Sequence, residues 1–242
     1  MPFPSIQLST RPLHFIYLCD CSGSMAAQGK MQSLNQAIRQ SLPSMAAVAR
    51  QNPEATIVVR VIAFADAARW HVQEPTPVDQ LQWQDLQPAG LTAMGGALSL
   101  LADELGSGMP QHALPPVFVL ISDGQPTDDF AAGLRALMAQ PWAQKAVRLA
   151  IAIGQDADLE VLQAFIGEPS VQPLQASNAT ALAHYIEWAS TAVVSSASTP
   201  ATSAANAGAG GARMGDVAIP EVPATVFATA KPDSDDFATL TW

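Results

Sequence analysis

The sequence predicts an α/β domain, doubly wound, with a mostly parallel sheet, one antiparallel edge strand and helices on both faces. Three observations carry that prediction. Almost wholly apolar runs recur at residues 13–19, 117–121 and 147–153, the pattern of strands covered on both faces rather than one. Between such runs lie stretches whose apolar residues recur every three or four positions, as helices crossing back over a sheet require. One pair of strand-like runs, residues 56–64 and 67–72, is too close in sequence for a helical crossover, so it forms a hairpin at the sheet edge.

The first strand, residues 13–19, is apolar or aromatic apart from His14. Met31, Leu34, Ile38, Leu42 and Met45 then mark the first helix, with Pro43 expected to kink or restart it because proline lacks a backbone donor. Residues 56–64, rich in β-branched side chains, form the second strand after the break at Gln51, Asn52 and Pro53; residues 67–72 form the third. The connection over residues 73–90 holds prolines, glutamines and Trp83, and loops of that length are usually functional or mobile. Met94, Ala97, Leu98, Leu101 and Leu105 give the second helix, closed by Gly106 and Gly108. After the strand at 117–121, Phe130, Leu134, Leu137 and Met138 mark a helix with Thr127 or Asp128 as its N-cap, and with Asp128 and Asp129 as favourable charges at its start. Following the strand at 147–153, Asp158 caps a short helix that Gly167 stops, residues 171–174 make a small sixth strand, and Asn178 caps a helix reaching about residue 194.

Residues 1–195 are therefore expected to be one domain. Residues 196–215 are almost all Ala, Ser, Thr and Gly, too small and polar to bury a core, and read as a flexible linker. Residues 216–242 carry valines, prolines, the acidic Asp233, Asp235 and Asp236, and Trp242; this tail either docks on its own domain or recognises a partner. Its Thr225, Thr229, Thr239 and Thr241 are candidate substrates of a partner kinase.

Charge and cysteine usage narrow the function. Eleven Lys and Arg against 21 Asp and Glu leave a net charge of −10, and the basic residues are scattered singly. Nucleic acid and an anionic membrane surface are thereby excluded as partners. No apolar run approaches the roughly 20 residues of a bilayer span, and the first residues lack the basic start and apolar stretch of a secretory signal. Cys19 and Cys21 lie too close on an extended segment for disulfide geometry and read as reduced core thiols. A soluble, cytoplasmic protein is the expectation.

The chemistry concentrates where apolar strands end. Asp20, Ser22 and Ser24 follow the first strand at alternate positions; Asp123 ends the fourth, and Thr92 opens the second helical pattern. Singly, each reads as a cap or turn former. Together they are five oxygen side chains at strand ends or adjacent loops of one sheet, where open α/β folds place their sites. Hard divalent cations take such all-oxygen ligation. If the strands ending at Asp20 and Asp123 are neighbours, about 5 Å apart, their carboxylates face one small volume and repel unless a cation or proton lies between them.

Asp20-x-Ser22-x-Ser24, then Thr92, then Asp123 with Gly124, resembles the metal-ion-dependent adhesion site of von Willebrand factor A (VWA) domains, in an order and spacing matched across residues 11–195. The resemblance implies a six-stranded sheet of order 3-2-1-4-5-6, Ser22 and Ser24 as direct ligands, Thr92 as a direct or water-bridged one, and Asp20 and Asp123 acting mostly through water. The implied ion is Mg²⁺, or Mn²⁺ or Ca²⁺ in its place. Residues 121–129 further resemble the bacterial tellurium-resistance Y-type branch, whose members are cytoplasmic and are associated with partner protein kinases and phosphatases in stress or metal-response systems.

Two function classes compete. The favoured one is a non-enzymatic, metal-dependent protein-binding module whose partner supplies a carboxylate or phosphate to the ion's open position. The rival is a Mg²⁺-dependent aspartyl phosphotransferase or phosphatase with Asp20 as nucleophile. It lacks a second acid two residues on, where Ser22 stands, and Lys30 and Lys145 fall outside the segments expected at the site. A serine hydrolase is disfavoured because Ser22 and Ser24 sit in no Gly-x-Ser-x-Gly elbow, and His14, His71, His112 and His184 read as strand, surface or helix residues. A third possibility is a structural metal that merely ties loops together.

Overall fold

A computed structural model describes residues 10–52 and 55–194. Its centre is one six-stranded sheet: β1 (Arg11–Asp20), β2 (Ala55–Phe64), β3 (Ala68–Pro77), β4 (Val117–Ser122), β5 (Val147–Ile153) and β6 (Leu174–Ala176), in the order β3-β2-β1-β4-β5-β6. All pairs are parallel except β2 with β3. The α-helices among the described residues are α1 (Lys30–Gln51), α2 (Met94–Ser107), α3 (Phe130–Met138), α4 (Pro141–Lys145), α5 (Leu159–Ile166) and α6 (Ala179–Trp188).

Strand alternation divides the core into two layers. Leu13, Phe15, Tyr17 and Cys19 point to the face covered by α1 and α6, while Ile16 and Leu18 point to the face covered by α2, α3 and α5. Because β1 is buried on both sides, nearly every one of its residues is apolar, which is what made the strand readable in the sequence. Tyr17 buries its ring in the layer under α1 and α6 and shares a 2.7 Å hydrogen bond with Ser190, in the π-helical turn Ala189–Val193 that follows α6.

Several elements differ from expectation. Helix α1 runs through Pro43 as one 22-residue helix, although the proline removes a donor to the Arg39 carbonyl. Leu34, Ile38, Leu42 and Met45 on both sides of it are buried on one face, and that packing overrides the local break. Strand β3 extends to Pro77, five residues beyond the expected end, by accommodating two register shifts against β2. The N-cap of α3 is Asp129, which accepts from the Ala132 N–H at 2.8 Å; neither Thr127 nor Asp128 caps that helix. The sixth strand lies at Leu174–Ala176 rather than at 171–174. The expected linker and tail lie outside the described residues. Among the described residues, no helix is long and apolar enough to cross a membrane.

Candidate metal centre

The sheet order makes β1 and β4 hydrogen-bonded neighbours, with Cys19 opposite Ile121, so Asp20 and Asp123 leave the sheet side by side. Asp20 is fully buried. Its Oδ1 accepts from the Ser22 N–H at 2.8 Å, and its Oδ2 accepts from the hydroxyl of Ser122. Burial raises the Asp20 carboxyl above its usual range, the hydrogen bonds from Ser122 and Ser22 offset part of that rise, and the charge of Asp123 adds to it. The charge of Asp123 reaching Asp20 fits the strand order, which sets the two carboxylates side by side.

The hydroxyls close in from two sides. Ser22 Oγ lies 2.9 Å from Ser24 Oγ, and Ser24 Oγ donates to Asp123 Oδ1 at 2.7 Å. A methyl built on Gly124 would stand 3.9 Å from Thr92 Oγ1 and 4.0 Å from Ser24 Oγ, so these hydroxyls from distant loops face the same point. Of the five residues, only Ser24 is exposed; Asp20, Ser22, Thr92 and Asp123 are buried.

Backbone hydrogen bonds tie the three loops into one frame. The Gly23 N–H donates to Gly90 O at 3.0 Å and the Ala89 N–H to Cys21 O at 2.7 Å, which joins the first loop to the second. Thr127 joins the second to the third: its N–H donates to Thr92 O, and its hydroxyl accepts from the Thr92 N–H, both at 3.0 Å. Gly90 has φ +74°, and a side chain there would strike the Asp66 carboxylate, which accepts from the Leu91 N–H at 2.9 Å. Thr92 does not cap α2, whose N-cap is Ala93. The α2 start is served instead by Asp128, which accepts from the Gly95 N–H at 2.8 Å and the Gly96 N–H at 2.7 Å.

Lys30 corrects the sequence reading. It was expected away from the site, yet its Nζ lies 2.8 Å from Asp123 Oδ2, with the side chain 7% exposed. The chain reaches this point through a short 3-10 segment, Gly23–Gly29, that ends in two left-handed residues, Gln28 and Gly29. Sequence reasoning also gave Ser122 no role at the site and read Thr127 only as a candidate helix cap. A signal for Lys30 existed: a cation at the first position of a helix with no acidic residue in its first turn runs against the helix dipole, and needs a partner from elsewhere. None of the four histidines reaches the site. His14 is buried in β1, His71 bonds the Gln84 carbonyl, His112 is exposed, and His184 sits on α6.

Cys19 and Cys21 are free, as expected of core thiols. Burial holds both above the ordinary thiol range, Cys21 at about 12, with the neighbouring Cys21 and Asp20 charges adding to the rise at Cys19 and Asp20 adding to that at Cys21.

The donor set suits a hard divalent cation. Among the described residues no group of three or more His, Cys, Asp or Glu side chains could hold a metal. The centre offers three hydroxyls and two carboxylates instead, which favours oxygen-loving ions over Zn²⁺-type His and Cys ligation.

The model of the von Willebrand factor type A domain matches residues 16–187, most of the chain, and this protein belongs to that family. No curated protein matches the sequence. Solved structures share its fold at low identity. The ArnB paralog VWA2 from Sulfolobus acidocaldarius superposes with a TM-score of 0.56 at 15% identity over 74% of this chain and 45% of its own. A von Willebrand factor type A protein from Catenulispora acidiphila gives 0.57 at 17% over 76% and 42%. Proximal thread matrix protein 1 of the mussel byssus, with zinc occupying its MIDAS motif, gives 0.58 at 15% over 75% and 48%. The chain thus spans less than half the length of each of these three proteins.

Proposed function

We propose that this protein is a metal-dependent protein-interaction module, in which Ser22, Ser24 and Thr92 bind a divalent cation directly and Asp20 and Asp123 hold it mostly through water. Mg²⁺ is the natural ion, with Mn²⁺ or Ca²⁺ able to substitute. A cation held largely by neutral hydroxyls retains positive charge, and so attracts a carboxylate or phosphate from a protein partner. The observation that carries this reading is the convergence of five oxygen side chains from three loops onto one rim of the sheet, inside a frame of backbone hydrogen bonds. Zinc in the MIDAS of the mussel protein supports a divalent ion at this place in the fold.

The partner docks on a surface that includes Leu91, 60% exposed and adjacent to Thr92 in sequence. Membership of a cytoplasmic stress or tellurium-resistance system, with a Ser/Thr kinase and a protein phosphatase as partners, rests on the likeness of residues 121–129 to that branch. The phosphotransferase reading gains the cation it lacked, since Lys30 stands at Asp123. It is still disfavoured: Ser22 occupies the place of the second acid, and Asp20 is fully buried with both oxygens engaged. Calorimetric titration with Mg²⁺ or Mn²⁺ tests the module. Wild type binds one ion, Asp20→Ala and Ser22→Ala lose it at least tenfold, and capture of the partner from the native cell is abolished by chelator. Unaltered ion affinity in both variants would overturn the reading, and phosphatase turnover lost in Asp20→Asn would favour the enzyme.

A further inference from the structure

We infer that Lys30 is a tethered cation that opposes the divalent ion at Asp123, lowering the site's metal affinity and so raising the ion concentration at which it loads. The inference rests on the metal-binding reading of the same centre and adds a residue outside the expected ligand set. Its starting point is a conflict between local and global preference. Lys30 is the first residue of α1, where the unpaired N–H groups already present positive charge, and no acidic side chain follows in the first turn. The residue is nevertheless buried, and the two residues that precede it take left-handed conformations, Gln28 at φ +53° and Gly29 at φ +72°. Gln28 is the one non-glycine residue with positive φ among those described. Such departures from local rules concentrate at functional sites.

What stabilises Lys30 there is Asp123. Its ammonium donates to Oδ2 at 2.8 Å, while Ser24 Oγ holds Oδ1 at 2.7 Å, so both oxygens of the carboxylate are engaged. The buried charges of the centre are Asp20 and Asp123 against Lys30, two negative and one positive, which leaves −1 where the ligand set alone carries −2. A divalent ion entering beside Asp123 meets a carboxylate already paired and an ammonium in a setting where water screens weakly. Either the ammonium withdraws or it stays and repels; both weaken metal binding. The same positive charge strengthens the attraction of the loaded site for an incoming anion, so Lys30 exchanges affinity for the ion against affinity for the partner's acidic group.

The test is Mn²⁺ binding to the full chain, by calorimetry and by melting in chelator and in saturating Mn²⁺. Lys30→Met keeps the apolar stem and removes the charge; Lys30→Arg keeps the charge. The expected result is at least tenfold tighter Mn²⁺ binding for Lys30→Met and an affinity within about threefold of wild type for Lys30→Arg. In chelator Lys30→Met melts below wild type, because two buried carboxylates lose their counter-charge, and Mn²⁺ removes most of that deficit. A Lys30→Met protein that is unfolded in chelator and folds on adding Mn²⁺ supports the inference equally; should it fail to fold in both, Lys30→Gln is read by the same comparison. A variant that binds Mn²⁺ no tighter than wild type, with the same melting deficit in chelator and in Mn²⁺, makes Lys30 a purely structural residue and overturns the inference while the metal reading stands. Mn²⁺ binding by neither wild type nor variants would remove both.

Discussion

Thr92 and Thr127 hold each other by a reciprocal pair of hydrogen bonds: the Thr92 N–H donates to the Thr127 hydroxyl, and the Thr127 N–H donates to the Thr92 carbonyl, each at 3.0 Å. The pair clamps the loop that carries one candidate ligand to the loop that follows Asp123. Groups that orient ligands typically change metal affinity 10- to 100-fold when removed. Thr127→Val deletes the acceptor and is expected to weaken Mn²⁺ binding about tenfold, whereas Thr127→Ser keeps the hydroxyl and stays within about threefold. Calorimetric titration of the two variants distinguishes a clamp from a bystander, since equal affinities would show that the loop needs no such tie.

The crossing of α2 over α3 depends on two glycines in contact. A methyl on Gly133 would come within 2.2 Å of Gly95 O, and one on Gly95 within 2.4 Å of Asp129 O, both backbone atoms that cannot yield cheaply. Forced overpacking costs about 1–3 kcal/mol or more, so Gly133→Ala is expected to lower Tm by about 5 °C or more in a domain of this size. Gly106→Ala, on the same α2 but facing only the end of the Gln140 side chain at 3.4 Å, is the control and should be neutral or slightly stabilising. Melting curves for both variants check the contrast.

His14 makes the fold sensitive to mild acid. Neither ring nitrogen has a hydrogen-bond partner; burial, helped by the charge of Arg60 and opposed by Glu104, lowers its pKa from 6.5 to about 4. Above pH 6.5 the ring is neutral in both folded and unfolded chains, and it costs nothing. Between 6.5 and 4 the unfolded chain takes up a proton on this ring that the folded one refuses, so the His14 contribution to stability falls as pH falls, by about 2 kcal/mol at pH 5. Urea unfolding of wild type and His14→Leu at pH 7 and pH 5 measures this directly: the variant should lose less stability on acidification. Equal losses would place the acid sensitivity elsewhere.

The two thiols should be silent in the native protein. Cys19 is fully buried and Cys21 is 2% exposed, and thiol reactivity requires an accessible thiolate. A thiol-reactive chromophore is expected to titrate far less than one equivalent in buffer and two in denaturant. Rapid native labelling would mean that the β1 end opens far more readily than its packing implies.

Elements governed by burial pattern were legible in the residues. The apolar runs of β1, β4 and β5 announce strands covered on both faces, and the spacing of Met31, Leu34 and Ile38 announces a helix stripe, because period and hydrophobicity are local properties of the chain. Asp20, Ser22, Ser24, Thr92 and Asp123 could be grouped from the sequence because their oxygen side chains fall at strand ends or adjacent loops, where open α/β folds form their sites. The helix running unbroken through Pro43 and the lengthened β3 were not, since long-range packing outweighed local signals there.

Lys30 and Asp123 are 93 residues apart, and Asp128 serves a helix that begins 34 positions before it. Charge pairings of this kind carry no periodic trace, because nothing in the neighbouring residues records which carboxylate a lysine will meet. Composition, period and spacing were enough for the alternating strands and helices, the antiparallel edge and the oxygen side chains at the strand ends, while the strand order came only with the family resemblance. The company each side chain keeps at that rim, including the ammonium beside Asp123, arises only when β1 and β4 pair and bring three distant loops to one point, since electrostatics and hydrogen bonding act through space and not along the chain.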